Sequence, residues 1–281
     1  MKSIKVSRIV SRIVQYLICA VVAVIIAVPL YISVMGGFKP LGQLRSSPMS
    51  IPNPFLAEQY LDLLSGAQGS FWLQLLNSLI VGLGTVLVVL LIGTFAGYAL
   101  ARIRFKLNSL LYKYFQLGLL FPLTVAILPL YIQLRAFGFL DTYIGVILPQ
   151  AAFQLSMMIM LLRGFIKMIP VELEEAAAMD GYGRFSFLFK IVLPLSTPIL
   201  TTVGVLTLVT SWNSFFTPLL VFSSQTLYTL PLGVMNFMGE HIANWNMVLA
   251  FLTLAMVPAI ILYIVCQRYI VAGLTSGAIK G

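Results

Sequence analysis

Charge is scarce in this chain. Of its 281 residues only 9% are Asp, Glu, Lys or Arg, while 60% are hydrophobic and the mean hydropathy is +1.02. An average soluble domain carries roughly 25% charge, so an ordinary water-soluble globular fold is excluded. Cysteine is nearly absent. Cys19 and Cys266 both lie in apolar runs with no CxxC spacing and no histidine neighbour, which leaves no basis for a disulfide or metal framework. The sequence has no Gly-Lys dipeptide, hence no G-x-x-x-x-G-K-[ST] phosphate loop, and cannot itself be an ATPase of that type. It has one histidine, His241, in an expected loop, and no Ser or carboxylate pair assembled for hydrolysis. No catalytic, cofactor-binding or metal-binding residue is therefore expected.

What the chain has instead is long apolar runs. Several exceed the ~20 residues that a helix needs to cross a bilayer. They do not alternate apolar and polar residues as barrel strands do. The expected fold class is an all-α polytopic membrane protein, a single transmembrane domain over 1–281 with six spans near 13–35, 72–101, 114–134, 142–162, 197–222 and 246–267. The first run follows Lys2, Lys5, Arg8 and Arg12 but is longer than a signal-peptide core, and no A-x-A site follows it, so it reads as a retained anchor. Most spans contain proline, which predicts kinked helices in a bundle. Gly93, Gly97 and Ala101 recur every fourth residue and predict a close helix–helix contact. With the N-terminus inside, 14 of the 17 Lys and Arg residues fall on the cytoplasmic side, and only Lys39, Arg45 and Arg135 fall outside. By the positive-inside rule both termini are expected in the cytoplasm. This asymmetry accounts for the net charge of +9 without a nucleic-acid partner.

Against this background, residues 171–185, VELEEAAAMDGYGRF, stand out. Four of the chain's eight acidic residues fall here: Glu172, Glu174, Glu175 and Asp180. Pro170 suits the first turn of a helix, and the acids after it suit the positive end of the helix dipole. Three alanines are strong helix formers with little bulk, and Gly181 tolerates the left-handed conformation that ends helices. A second short helix is expected from Arg184 to Val192, stopped by Pro194. The reading is an elbow projecting from the membrane within a cytoplasmic loop, 163–196, and its second helix is too apolar for water alone to favour.

The run Glu175-Ala176-Ala177-x-x-Asp180-Gly181, followed nine residues later by Ile191-x-Leu193-Pro194 and then Pro198, resembles the EAA loop of ABC-importer permeases. Further motifs resemble the maltose-type carbohydrate-uptake class. These are Trp72 with Asn77-Ser78, Tyr98-Ala99-Leu100-Ala101-Arg102, Gly138-Phe139-Leu140-Asp141-Thr142, and Trp212-Asn213. The ending, Gln267-Arg268 and then Gly273 to Gly281, is similar to that of the smaller of the two permeases in that class. The resemblance implies a coupling helix between spans four and five, formed by Glu175, Ala176, Ala177, Asp180, Gly181, Ile191, Leu193 and Pro194, that docks on a separate ATPase. It also implies a second homologous permease, two cytoplasmic ATPase subunits that use ATP and Mg, an extracytoplasmic solute-binding protein, and a place in the bacterial inner membrane among lipid. The tail 274–281 is expected to touch the ATPase pair.

The solute is less legible. Gln150, Gln154, Thr210, Trp212 and Asn213 are polar or aromatic residues within spans that could line a sugar path, although such residues more commonly bond between helices. A sugar or oligosaccharide is the expected cargo. Another polar solute, such as glycerol phosphate or an amino sugar, stays open, and a stand-alone secondary transporter or channel is the rival class.

Overall fold

The computed structural model describes residues 2–67, 71–238 and 244–278, with side chains from Arg12 to Gln267 within those limits. His241, the last three residues and the side chains of the tail lie outside them. The described chain is helical almost throughout and divides into two compact units, 1–70 with 234–257 and 71–233 with 258–281.

In the first unit α1 (Lys2–Gly36) carries the first apolar run. Two short helices follow, α2 (Leu41–Ser46) and α3 (Glu58–Ser65). Residues 36–67 form an ordered lobe. Lys39 is buried, and its ammonium donates to the carbonyls of Pro48 (2.6 Å) and Ser47 (3.3 Å). Burial pushes its pKa below the usual lysine value. The ring of Phe38 packs against those of Phe55 and Tyr60, at 4.4 and 4.3 Å between centroids. The Tyr60 hydroxyl donates to the Val34 carbonyl at 2.9 Å.

The second unit is built on α4 (Phe71–Arg102) and α7 (Tyr143–Met168), with α11 (Thr197–Trp212) against both. The glycine stripe makes the expected contact. A Cβ on Gly97 would meet Leu162 Cβ at 3.0 Å and the Arg163 nitrogen at 3.3 Å, and one on Gly93 would meet Leu162 Cδ1 at 3.2 Å. Val89, Ala151, Leu162, Ile199 and Val203 form the apolar centre of this three-helix contact. From Trp245 a final helix, α13, runs without a break to Ala278. The described backbone of the tail stays helical after Arg268 as far as Ala278.

Among the described residues four helices are long and apolar enough to cross a membrane: Arg12–Gly36, Phe71–Arg102, Tyr143–Met168 and Trp245–Gln267. Two bent pairs bring the number to six if each pair counts as one span. The expected span 114–134 is one of them. It is two helices, α5 (Asn108–Gly118) and α6 (Leu123–Ala136), meeting at 103°. Pro122 stands before the second helix as its N-cap, and a residue preceding proline is biased away from helical angles. The other pair meets at 75° across Ser196, where Arg184–Leu195 leads into α11. Pro194 therefore does not stop the second elbow helix as expected. It sits in the first turn of α10 (Leu193–Leu195), where its missing N–H costs little. The expected span 197–222 is likewise interrupted after Trp212, and α12 (Phe216–Val221) follows.

Candidate functional site: the elbow at the ends of α4 and α7

The elbow begins with α8 (Val171–Met179), whose N-cap is Pro170 rather than a proline inside the first turn. Glu172 and Glu174 stand in that turn, as the helix dipole favours. Its C-terminus closes through a Schellman arrangement. Gly181 has φ +81°, its N–H donates to the Ala178 carbonyl (3.0 Å), and the Tyr182 N–H donates to that of Ala177 (2.9 Å). The chain then turns into α9 (Arg184–Phe187), a π-helical turn over Leu188–Val192, and α10.

Alanine at 177 has a clear purpose. It is buried in a cluster with Tyr98, Ile166, Ile169, Phe187, Leu188 and Val192, and Ile191, Leu193 and Tyr182 pack on its margin. A larger side chain would lift α8 off this seat. Of the residues singled out in the sequence, Ala177, Ile191 and Leu193 thus meet in one apolar seat. Glu175, Ala176, Asp180, Gly181 and Pro194 are on the exposed side. The tip is unusually greasy for a polar loop: Met179 is 89% exposed and Phe185 72%, with Val171 also exposed.

Sequence reading missed the group that holds the elbow. Arg102, the last residue of α4, sends its guanidinium under the end of α7. It donates to the carbonyls of Ile166 (2.9 Å) and Ile169 and pairs with Glu174 at 3.5 Å. A cation at a helix C-terminus meets the carbonyls left unpaired by the helix. One turn earlier on α4 the Tyr98 hydroxyl donates to the Arg184 carbonyl at 3.2 Å. Both arms of the elbow are therefore tied to α4. The available signal was the arginine closing a long charge-free run.

The candidate path residues do not converge on one site. Gln150 is buried within the bundle, and its carbonyl oxygen accepts from Ser211 (2.5 Å) and Thr85 (3.4 Å), joining α7 to α11 and α4. Its amide nitrogen is buried without an acceptor, and so is the carbonyl oxygen of Gln154 without a donor. Trp212 is buried. Thr210 and Asn213 are exposed and donate within their own helix, to Leu206 and Val209.

At the other end of α4, Asn77 donates to the carbonyls of Thr226 (2.8 Å) and Tyr228 (2.9 Å) and accepts from the Tyr143 hydroxyl (2.7 Å). The Ser78 hydroxyl accepts from the Leu230 N–H at 2.8 Å. The uncharged segment after α12 is therefore neither a seventh span nor a free loop, since Asn77 and Ser78 hold it against the helix.

Residues 90–276 match the family described as the binding-protein-dependent transport system inner membrane component. The chain belongs to this family. Among relatives, a probable ABC transporter permease protein, YurM, of Bacillus subtilis is 34% identical over 90% of this chain and 83% of its own length. The diacetylchitobiose uptake system permease protein NgcG of Streptomyces coelicolor is 31% identical over 90% of this chain and 84% of its own. A chain of a bacterial ABC transporter that imports the acidic polysaccharide alginate superposes with a TM-score of 0.79. The match covers 92% of this chain and 95% of that one, at 22% identity. The chain therefore shares the fold of that structure, and it is a multi-pass membrane protein.

Proposed function

We propose that this permease forms half of a translocation path for a sugar or oligosaccharide and couples it to ATP hydrolysed by separate subunits. The observation that carries the proposal is the elbow, a short helix with an exposed apolar tip and a buried alanine seat, tied at both arms to the long helix α4. Such a part is suited to receiving a push, not to chemistry. The carbohydrate cargo is supported by relatives named for diacetylchitobiose and alginate. The partners are a second, homologous permease, two cytoplasmic ATPase subunits using ATP and Mg, and an extracytoplasmic solute-binding protein. The elbow faces the cytoplasm, as do both termini, and this orientation rests on the distribution of Lys and Arg.

Moving a two-state equilibrium from 1:99 to 99:1 takes about 5.5 kcal/mol of differential interaction. The joint between ATPase and elbow transmits that energy, so its residues are Glu175, Ala176, Asp180 and Gly181 on the exposed face, with Ala177, Ile191, Leu193 and Pro194 shaping the support. Gly181→Val tests the idea, because a β-branched residue at φ +81° is strained whatever space surrounds it. The variant is expected to insert and fold but to lose sugar-stimulated ATPase activity when reconstituted with its partners. Wild-type stimulation by Gly181→Val would refute the coupling role of the elbow.

A further inference from the structure

Beside the elbow lies an open cleft of about 680 Å³, bounded by the end of α4, the loop that follows it, the end of α7 and one side of α8. Five basic side chains line it: Arg102, Arg104, Lys106, Arg163 and Lys167. The acids that line it are Glu174 and Glu175, both on the α8 rim. Arg102 is engaged with Glu174, while Arg163 donates to the Leu100 carbonyl and lies 3.6 Å from the centroid of the Tyr112 ring. Arg104, Lys106 and Lys167 are exposed, and none of them has an ion-pair partner among the described residues. The Nε of Arg102 is also buried without an acceptor. The cleft thus holds an excess of cations that the chain itself does not neutralise.

Its position narrows the choice of anion. Arg102 ends one membrane-crossing helix and Lys167 stands in the last turn of another, so the cleft opens at the boundary of the apolar layer. The neighbouring loop and helix expose Phe105, Leu107 and Leu110, the last two at 57% and 63%. A small ion or an acidic peptide has no use for that apolar margin. A lipid needs both features, a cationic site for its phosphate and an apolar wall for its acyl chains. Basic pockets between membrane helices on the cytoplasmic side are a recurring solution for acidic headgroups.

We propose that this cleft is a binding site for the headgroup of an anionic phospholipid, held by Arg104, Lys106 and Lys167 with its chains along Leu107 and Leu110. Because Glu174 lines the same cleft, the headgroup sits against the helix that receives the ATPase, and occupancy steadies the elbow in one position. The site is placed on the cytoplasmic leaflet by the orientation proposed above.

The test uses the complete importer in nanodiscs of mixed phosphatidylglycerol and phosphatidylcholine, with retained lipid counted by native mass spectrometry. Both leaflets are accessible in a nanodisc, so the outcome does not depend on which side the elbow faces. The wild type is expected to prefer phosphatidylglycerol by on the order of tenfold or more, given three cations at the surface. The triple variant Arg104→Ser, Lys106→Ser, Lys167→Ser should bring that preference near parity with an unchanged unfolding midpoint. Lys113→Ser, which removes an exposed charge outside the cleft, should leave the preference intact. Excess inorganic phosphate should not displace the lipid. The proposal fails if the triple variant keeps the preference, or if Lys113→Ser lowers it as much. Displacement by free phosphate would reassign the cleft to a soluble anion. Loss of the ATPase subunits from the triple variant, equally in both lipids, would reassign it to an acidic protein face.

Discussion

Asp141 and Ser224 lie 83 positions apart, and the carboxylate of the first accepts both the main-chain N–H (3.0 Å) and the hydroxyl of the second. The Ser223 N–H adds a third bond at 2.9 Å, so one side chain clips the α6–α7 turn to the chain leaving α12. Asp141 has φ +58°, a left-handed conformation that aspartate tolerates better than most residues. Asp141→Ala removes the acceptor from three donors and adds backbone strain. A loss of about 1–3 kcal/mol is expected, read as a lower unfolding midpoint in detergent. The hydroxyl of Ser224, then its N–H, hold the carboxyl below its ordinary value of 3.8, outweighing partial burial. A depressed folded pKa means the stabilisation is present above pH 3.8 and is lost as pH falls through the lower folded value. The wild type should therefore lose stability relative to Asp141→Asn only in that acidic window, and a difference that instead grew above neutrality would contradict the clip.

Arg102→Lys keeps the charge but not the planar fork that reaches two carbonyls and a carboxylate at once. It should weaken ATPase coupling more than it weakens folding, whereas Arg102→Ala should weaken both. Equal coupling in Arg102→Lys and wild type would show that charge alone suffices.

At Gly97 even a methyl group meets Leu162 and the Arg163 backbone within 3.3 Å. Gly97→Val should cost about 1–3 kcal/mol by separating α4 from α7. Gly164, whose added Cβ would meet nothing within 4 Å, is the matched control, and Gly164→Ala should be nearly silent.

Gln150→Leu separates a path residue from a packing residue. Leucine removes an unpaired amide nitrogen but also the acceptor of the buried Ser211 hydroxyl, so a stability loss of about 1–3 kcal/mol with transport intact is expected. A selective loss of sugar affinity would place Gln150 on the path.

Topology is open to cysteine labelling. Ser46 and Ser223, both exposed, should react from outside in intact cells, and Met179, at 89% exposure, only in inverted vesicles. Labelling of Met179→Cys from outside would overturn the orientation and the docking of the ATPase with it.

The four continuous apolar helices and the elbow were legible because hydropathy and helix-ending residues are local signals. Gly181 ends α8 in the way its type predicts. The break at Leu119–Pro122 was not, because a hydropathy window scores apolar residues alike whichever way the chain runs. Nor was the bend at Ser196, where Pro194 reads as a stop but fits a first turn. The reach of Arg102 was hidden for a different reason. Its partners lie 64 to 72 positions away and two of them are backbone carbonyls, which carry no residue-type signature.

Helix α4 has no proline in its 32 residues. From Asn77, which grips the chain at 226–228, to Arg102, which grips the elbow, is about 38 Å at 1.5 Å per residue. A continuous helix of that length behaves as a shaft. On the coupling role proposed above, a displacement of the elbow would reach the segment at the far end through one unbroken helix, and a kink introduced midway along α4 would put the two ends out of phase.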